Sequence, residues 1–352
     1  GWSMNSHGNM FTNCSSLRTI IAKGISSTSA NNLLTSLNSV TSGTVTISII
    51  DGEEVDTSYA TSLGWTVNID TAMIIAKYKF TTGADTLPNF NTGYTYTVSD
   101  TVNEDGTTTR TIINEQDTVP TSISFYGGNG YKSLLEVYEL DISGLTSLSV
   151  LFCECNNLTA IHGHEDWDTS KITNFSTVFQ QCSKLQSLDL TNWDVSKSTS
   201  FNSTFYLCSA ITSLGDLSKW DVSKTNNMSF MFRACSKLTT LGDISNWDVS
   251  KCTNFNGMFF QVGLTEIDMT NWKYIETESN LNVREMFGNN SNLISIKGLE
   301  NMPSHLFNNV TSMFYNNKKI TTLEGLSKWK ISNKITALTS MFANCSSLTT
   351  LD

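Results

Sequence analysis

Apolar positions in the second half of the chain recur in blocks of nearly constant length. Phe152, Phe179, Phe205, Phe232, Phe259, Phe287, Phe314 and Phe342 follow one another at intervals of 27, 26, 27, 27, 28, 27 and 28 residues. Trp167, Trp193, Trp220, Trp247 and Trp272 keep step, and Trp329 resumes after the Trp position is lost near Met302. A period of about 20–30 residues marks a repeat architecture. Within one unit, "KLTTLGDIS" spaces Leu238, Leu241 and Ile244 as a short strand with its apolar side inward. "TNNMSFMFRAC" puts Met228, Met231 and Phe232 at i, i+3 and i+4, the stripe of a short helix. The expected fold is an α/β repeat: a leucine-rich-repeat solenoid of strand–corner–short helix coils, interrupted by a small β-rich module.

The corner is "NWDVSK" at 192–197 and 246–251, with "KWDVSK" at 219–224 and "DWDTSK" at 166–171. Trp167, Trp193, Trp220 and Trp247 are expected to stack as a ladder that closes the core. Asp168, Asp194, Asp221 and Asp248 form a like-charge ladder beside them. That is unfavourable unless each carboxylate caps backbone N–H groups, the usual role of a short acceptor at a turn or helix start. Lys197, Lys224 and Lys251 follow and offset the charge; exposed pairs of this kind contribute about 0–1 kcal/mol each. Burying a Trp, a Phe and two Leu per coil contributes several kcal/mol at roughly 25 cal/mol/Å². The corner is therefore structural and not catalytic.

Upstream, "SANNLLTSLNSV" and "EEVDTSYATSLG" predict short helices, the second ended by Gly64, and "GTVTISII" and "WTVNI" predict strands. "MIIAKYKF", "YTYTVSD" and "TTTRTII" are β-rich, with the Asp-Gly hairpin signal in "NEDGTT". The expected division is 1–70 as the end of one array with its cap, 71–130 as a β-rich spacer, and 131–352 as a second array. The last array carries no C-terminal cap, and "GWSMNSHGNMF" has neither an initiator Met nor the features of a signal peptide. Both points fit a fragment or a processed chain.

Composition narrows the function classes. A net charge of −10 without any basic run excludes nucleic acid as the expected partner. No stretch of about 18 apolar residues is present, so no membrane span is expected. Only 15% of residues are charged, which suits a surface protein built of turns and strands.

Cys155, Cys182, Cys208, Cys235 and Cys345 share one repeat position, matched by Cys14. They read as a disulfide or metal ladder, or as small buried thiols. Val262, Asn290 and Asn317 fill the same slot, and no Cys-x-x-Cys pair exists, which favours the thiols. His162 and His164, two apart beside Glu165 and Asp166, suggest a surface metal site or an irregular first coil with solvated side chains; the second reading is preferred, and no metal or cofactor is assigned. Asp189, Asp216, Asp243, Glu266 and Asp268 recur about once per coil, as a solvated face does and a unique acid–base pair or calcium site does not. Nothing in the sequence names an enzyme.

The period, "NWDVSK", the Met-Phe of "MFRACSKLTTL" and "MFANCSSLTTL", and the Leu-x-x-Leu run resemble the BspA-like leucine-rich repeat surface proteins of bacteria and mycoplasmas, with members also encoded by phages. "NMFTNCSSLRTI" at 9–20 repeats the motif, while "WKYIETESN" departs from it within 273–305. The resemblance implies adhesion or surface recognition and carries over no catalytic residue. The expected binding surface is the outward strand face, with Ser187, Asp189, Thr191, Asp243, Ser245, Glu266, Asp268 and Thr270. Its expected partner is a protein or glycan of a host or neighbouring cell, met outside the cell. The alternative is a structural or receptor-binding part of a phage virion.

Overall fold

The computed structural model describes residues 19–25, 27–35, 37, 44–49, 55–71, 74–84, 87–114, 119–127, 131–276, 280–330, 335 and 338–351. The N-terminal repeat motif, with Cys14, lies outside these apart from its last two residues. In chain order the elements are β1 (Thr19–Ile25), α1 (Ser27–Thr35), β2 (Thr44–Ile49), α2 (Ser58–Ser62), β3 (Thr66–Thr71), β4 (Ile74–Thr81), β5 (Asn89–Phe90), β6 (Tyr96–Val102), β7 (Thr107–Asn114) and β8 (Ile123–Ser124). They continue as β9 (Leu134–Leu140), β10 (Ala160–Ile161), β11 (Glu266–Asp268), β12 (Leu281–Asn282), β13 (Ser295–Lys297), β14 (Phe307–Asn309), β15 (Thr322–Leu323) and β16 (Thr350–Leu351).

Two compact units are present, one of residues 1–78, 93–119 and 139–141 and one of 79–92, 120–138 and 142–352. In the first, β1, β2 and β3 form a parallel sheet, with α1 and α2 in the two crossovers. Ala30, Leu33 and Leu34 of α1 pack with Val45, Ile47, Ala60 and Trp65 in its core. Gly64, at φ 81°, follows α2 as the sequence leads one to expect. The Asp-Gly signal forms the β6–β7 antiparallel hairpin. Asp105 accepts the Thr107 N–H at 3.0 Å, and Arg110 grips Asp100 across the strands through two bonds of 2.8 Å.

In the second unit the expected helices do not form. Both α-helices of the described residues precede residue 63, so the chain is not an α/β leucine-rich-repeat solenoid. Its repeats are built from turns, single parallel bridges such as Ser200–Asn227 and Asn227–Asn254, and parallel pairs of two or three residues: β11–β13, β12–β14 and β15–β16. The physical reason sits on either side of the repeating Phe. Phe230 and Ala234 have φ of 58° and 63°, and Thr177, Gln181, Ser203, Leu207, Glu285, Asn289, Ser312 and Asn316 hold the same left-handed conformation in other units. An α-helix cannot run through such residues, each of which costs about 1–2 kcal/mol.

The return is a ladder between units. The N–H groups of Met228, Phe230, Phe232 and Ala234 donate to the carbonyls of Asn254, Asn256, Met258 and Phe260 at 2.9, 2.8, 3.1 and 2.8 Å. The intervening Met231, Arg233 and Cys235 close turns onto Met228, Phe230 and Phe232 at 3.3, 3.2 and 3.1 Å. With the Ser229 N–H donating to the Asn227 side chain at 3.0 Å, every backbone donor from Met228 to Cys235 is used, half along the chain and half across it. Through the centre runs a column of stacked rings, with centroids 5.9 Å apart for Phe152–Phe179, 5.8 Å for Phe205–Phe232 and 5.6 Å for Phe314–Phe342. The column has one ring more than the motif shows, because Phe125 stacks on Phe152 at 5.5 Å.

Candidate functional site

The corners hold the framework. Asp168, Asp194, Asp221 and Asp248 each accept the N–H of the Ser two residues on, at 3.1, 2.9, 3.0 and 3.1 Å. In these Asx turns each carboxylate serves the backbone as an acceptor. Hydrogen bonds from Ser170 and Ser196 hold Asp168 and Asp194 below the usual carboxylate range. At Asp248 burial opposes ionisation, but Ser250 and Lys273 more than offset it. Trp193, Trp220 and Trp247 donate their indole N–H to the carbonyls of His164, Leu190 and Leu217 in the preceding unit at 2.8, 3.1 and 3.2 Å. Trp167 stacks on Trp193 at 5.8 Å, whereas Trp220 stacks on Phe201 at 5.3 Å.

The sequence-nominated binding face is a row of similar turns. Asp189, Asp243 and Asp268 accept the N–H groups of Thr191, Ser245 and Thr270 at 3.1, 3.0 and 2.9 Å. The hydrogen bonds lower the proton affinity of Asp189 and Asp243. Ser187 forms a parallel bridge to Ser213, and Thr191 accepts the Asp216 N–H at 3.0 Å, so successive units are tied along this row. Asp243, Glu266 and Asp268 share a shallow groove of about 370 Å³. Lys297 closes on Glu266 at 2.9 Å and lies 3.9 Å from Asp268. Ser245 is buried, and Thr191 and Asp268 are half-buried, while Ser187, Asp189, Asp243, Glu266 and Thr270 are exposed. Gly215 and Gly242, at φ 78° and 74°, lie so close beneath Asp189 and Asp216 that a Cβ would fall 2.4 and 1.9 Å from their carboxylate oxygens.

The cysteine slot is interior. Cys182, Cys208 and Cys235 point their thiols at the carbonyls of Phe152, Phe179 and Phe205 at 3.2, 2.9 and 3.1 Å, and all three are free and buried. Asn290 and Asn317 use the same slot to donate to Phe259 and Phe287 at 2.8 and 2.9 Å. His162 and His164 diverge. The first meets Glu136 at 3.2 Å on the surface; the second turns inward, with Nδ1 2.6 Å from the Ile161 carbonyl and Nε2 accepting the Asp189 N–H at 2.9 Å.

Sequence reasoning missed a cluster on the residues flanking the core Phe. Arg233 lies 3.9 Å from the Phe260 ring centroid and 5.4 Å from that of Phe230. Its Nη1 pairs with Glu285 at 2.7 Å, and Arg284 holds the other carboxylate oxygen at 3.0 and 2.8 Å. Burial opposes ionisation of Glu285, but the two guanidinium groups hold it below the usual range. The one hint in the sequence is an Arg directly after a core Phe, with Tyr206, Phe260 and Tyr315 at the equivalent position of other units.

A protein of repeated, turn-built units cross-linked by short parallel bridges is the class this architecture defines. The profile of the family described as "Mycoplasma protein of unknown function, DUF285" matches residues 146–272, 210–295 and 281–351, together more than half of the chain. The chain belongs to that family. No curated protein and no solved structure matches it.

Proposed function

We propose that the repeat region is a non-enzymatic recognition module that meets a protein or glycan of a host or neighbouring cell, outside the cell that makes it. The observation that carries the reading is the row of exposed carboxylates on successive units, of which Asp189 and Asp243 are each clamped by the turn they cap. A preorganised row loses little side-chain freedom on binding, which is where much of the cost of association lies. Its charge suits a basic protein patch or a hydroxyl-rich glycan. The likeness of the corner and Met-Phe motifs to BspA-like surface proteins supports the same role. The repeats form a long regular surface, which repeat proteins use for recognition.

The test is binding of the full chain to cultured animal cells and to a glycan array, with Asp243→Lys and Glu266→Lys compared with the parent. The proposal expects at least a tenfold loss in both variants, each still melting cooperatively although Asp243→Lys gives up a capped turn and Glu266→Lys an ion pair. Unaltered binding would remove this face from the account.

A further inference from the structure

We infer that the Arg233–Arg284–Glu285 cluster is a second binding site, for a carboxylate-bearing sugar unit. It is chemically opposite to the acidic row and stands apart from the proposed role of that row. The cluster borders a cavity of about 480 Å³, within the range of about 300–1,000 Å³ usual for small-ligand sites.

Three features specify the ligand. Two guanidinium groups face one carboxylate, leaving a local positive charge on a chain whose net charge is −10. Arg284 is half exposed, at 49%, so donors beyond those given to Glu285 reach the cavity. A planar, bidentate guanidinium recognises a carboxylate better than a point charge does. The Tyr206 and Phe230 rings, with centroids 6.2 Å apart, supply an apolar wall for the C–H face of a pyranose. Opposite needs are met by the Gln180 and Asn256 amides and the Ser203 hydroxyl, neutral groups that line the same cavity and suit hydroxyls. A purely anionic ligand such as phosphate would use the arginines and waste the rings; a neutral sugar would do the reverse.

Gly257 leaves room for the arginine. Gly257, at φ 58°, sits where a Cβ would fall 2.7 Å from Arg233 Nη1 and 3.0 Å from the Phe230 ring. Any other residue there would crowd the arginine and the Phe230 ring and would be strained by the positive φ.

The experiment is a titration of the full chain with methyl glucuronoside, methyl glucoside, inorganic phosphate and an acidic hexapeptide, followed by the side-chain Nε–H signals of Arg233 and Arg284. Saturable binding of the glucuronoside, at least tenfold tighter than the glucoside and phosphate, is expected. Arg284→Gln and Tyr206→Ala should each weaken it tenfold or more while the protein still melts cooperatively, since Arg284 is exposed and Tyr206 only half-buried. Asp243→Lys and Glu266→Lys should leave it intact, which separates this site from the acidic row. Equal binding of glucuronoside and glucoside, preference for the peptide, no binding of any probe, or indifference to Arg284→Gln would each overturn the assignment.

Discussion

Burial pushes the Cys182, Cys208 and Cys235 thiols well above their ordinary proton affinity, and each makes its single hydrogen bond to a Phe carbonyl one unit back. Thiolate is the reactive form, so these residues should resist maleimide in the native protein while the half-exposed Cys345 is modified before them. Peptide mapping after timed labelling checks this; early labelling of Cys208 would place the slot at the surface. The capping carboxylates set the acid response. Asp168, Asp189, Asp194, Asp243 and Asp248 all bind protons more weakly folded than at the ordinary value of 3.8. Their contribution is fully present above that value and is lost as pH falls through the lower folded values. The melting temperature should therefore drop as pH is taken below about 4. Asp194→Asn, which keeps the turn acceptor without the charge, should show a shallower drop. The corner roles were legible in the sequence, because a short acceptor precedes a Ser at each corner, whereas Asp189 and Asp243 read there only as a solvated face. The donation by Asn290 and Asn317 was not, since only the fold shows that the thiols face carbonyls.

At the scale of the element, the stripe Met228, Met231 and Phe232 has the spacing of a helix, and the structure uses it otherwise. Successive turns closed from i to i−3 also bring every third or fourth side chain to one side, so apolar spacing cannot separate the two. What separates them is backbone sign, visible in the sequence only where Gly257, Asn289, Asn316 and Asn344 occupy positions that hold φ near 60°. Val150 carries a branched side chain at φ 60°, an uncommon and strained choice. Val150→Asn should stabilise the protein by about 1 kcal/mol, measured by urea unfolding. The corner gives the opposite case. Trp220→Phe keeps much of the ring surface but removes the indole donor to Leu190, whose carbonyl retains only the Trp193 N–H. A loss of about 1–3 kcal/mol is expected in the same assay. A change of a few tenths would mean that the indole bond contributes little.

Across the whole molecule the period was the most legible feature, because Phe and Trp recur too regularly to miss. The phase of the column was recoverable too, apart from Phe125, which lies outside the full motif and was passed over. The Arg233 cluster stayed hidden because it joins residues 52 apart in sequence, brought together by the stacking of units. The repeats are joined by backbone bonds from one unit to the next, and their described residues form short 3-10 turns but no α-helix. Scalar couplings across hydrogen bonds, measured by nuclear magnetic resonance on the deuterated chain, read those bonds directly. The structure predicts couplings from the amides of Met228, Phe230 and Phe232 to the carbonyl carbons of Asn254, Asn256 and Met258. Couplings from each amide to the carbonyl four residues earlier over the same stretch would contradict it, and would restore the helix.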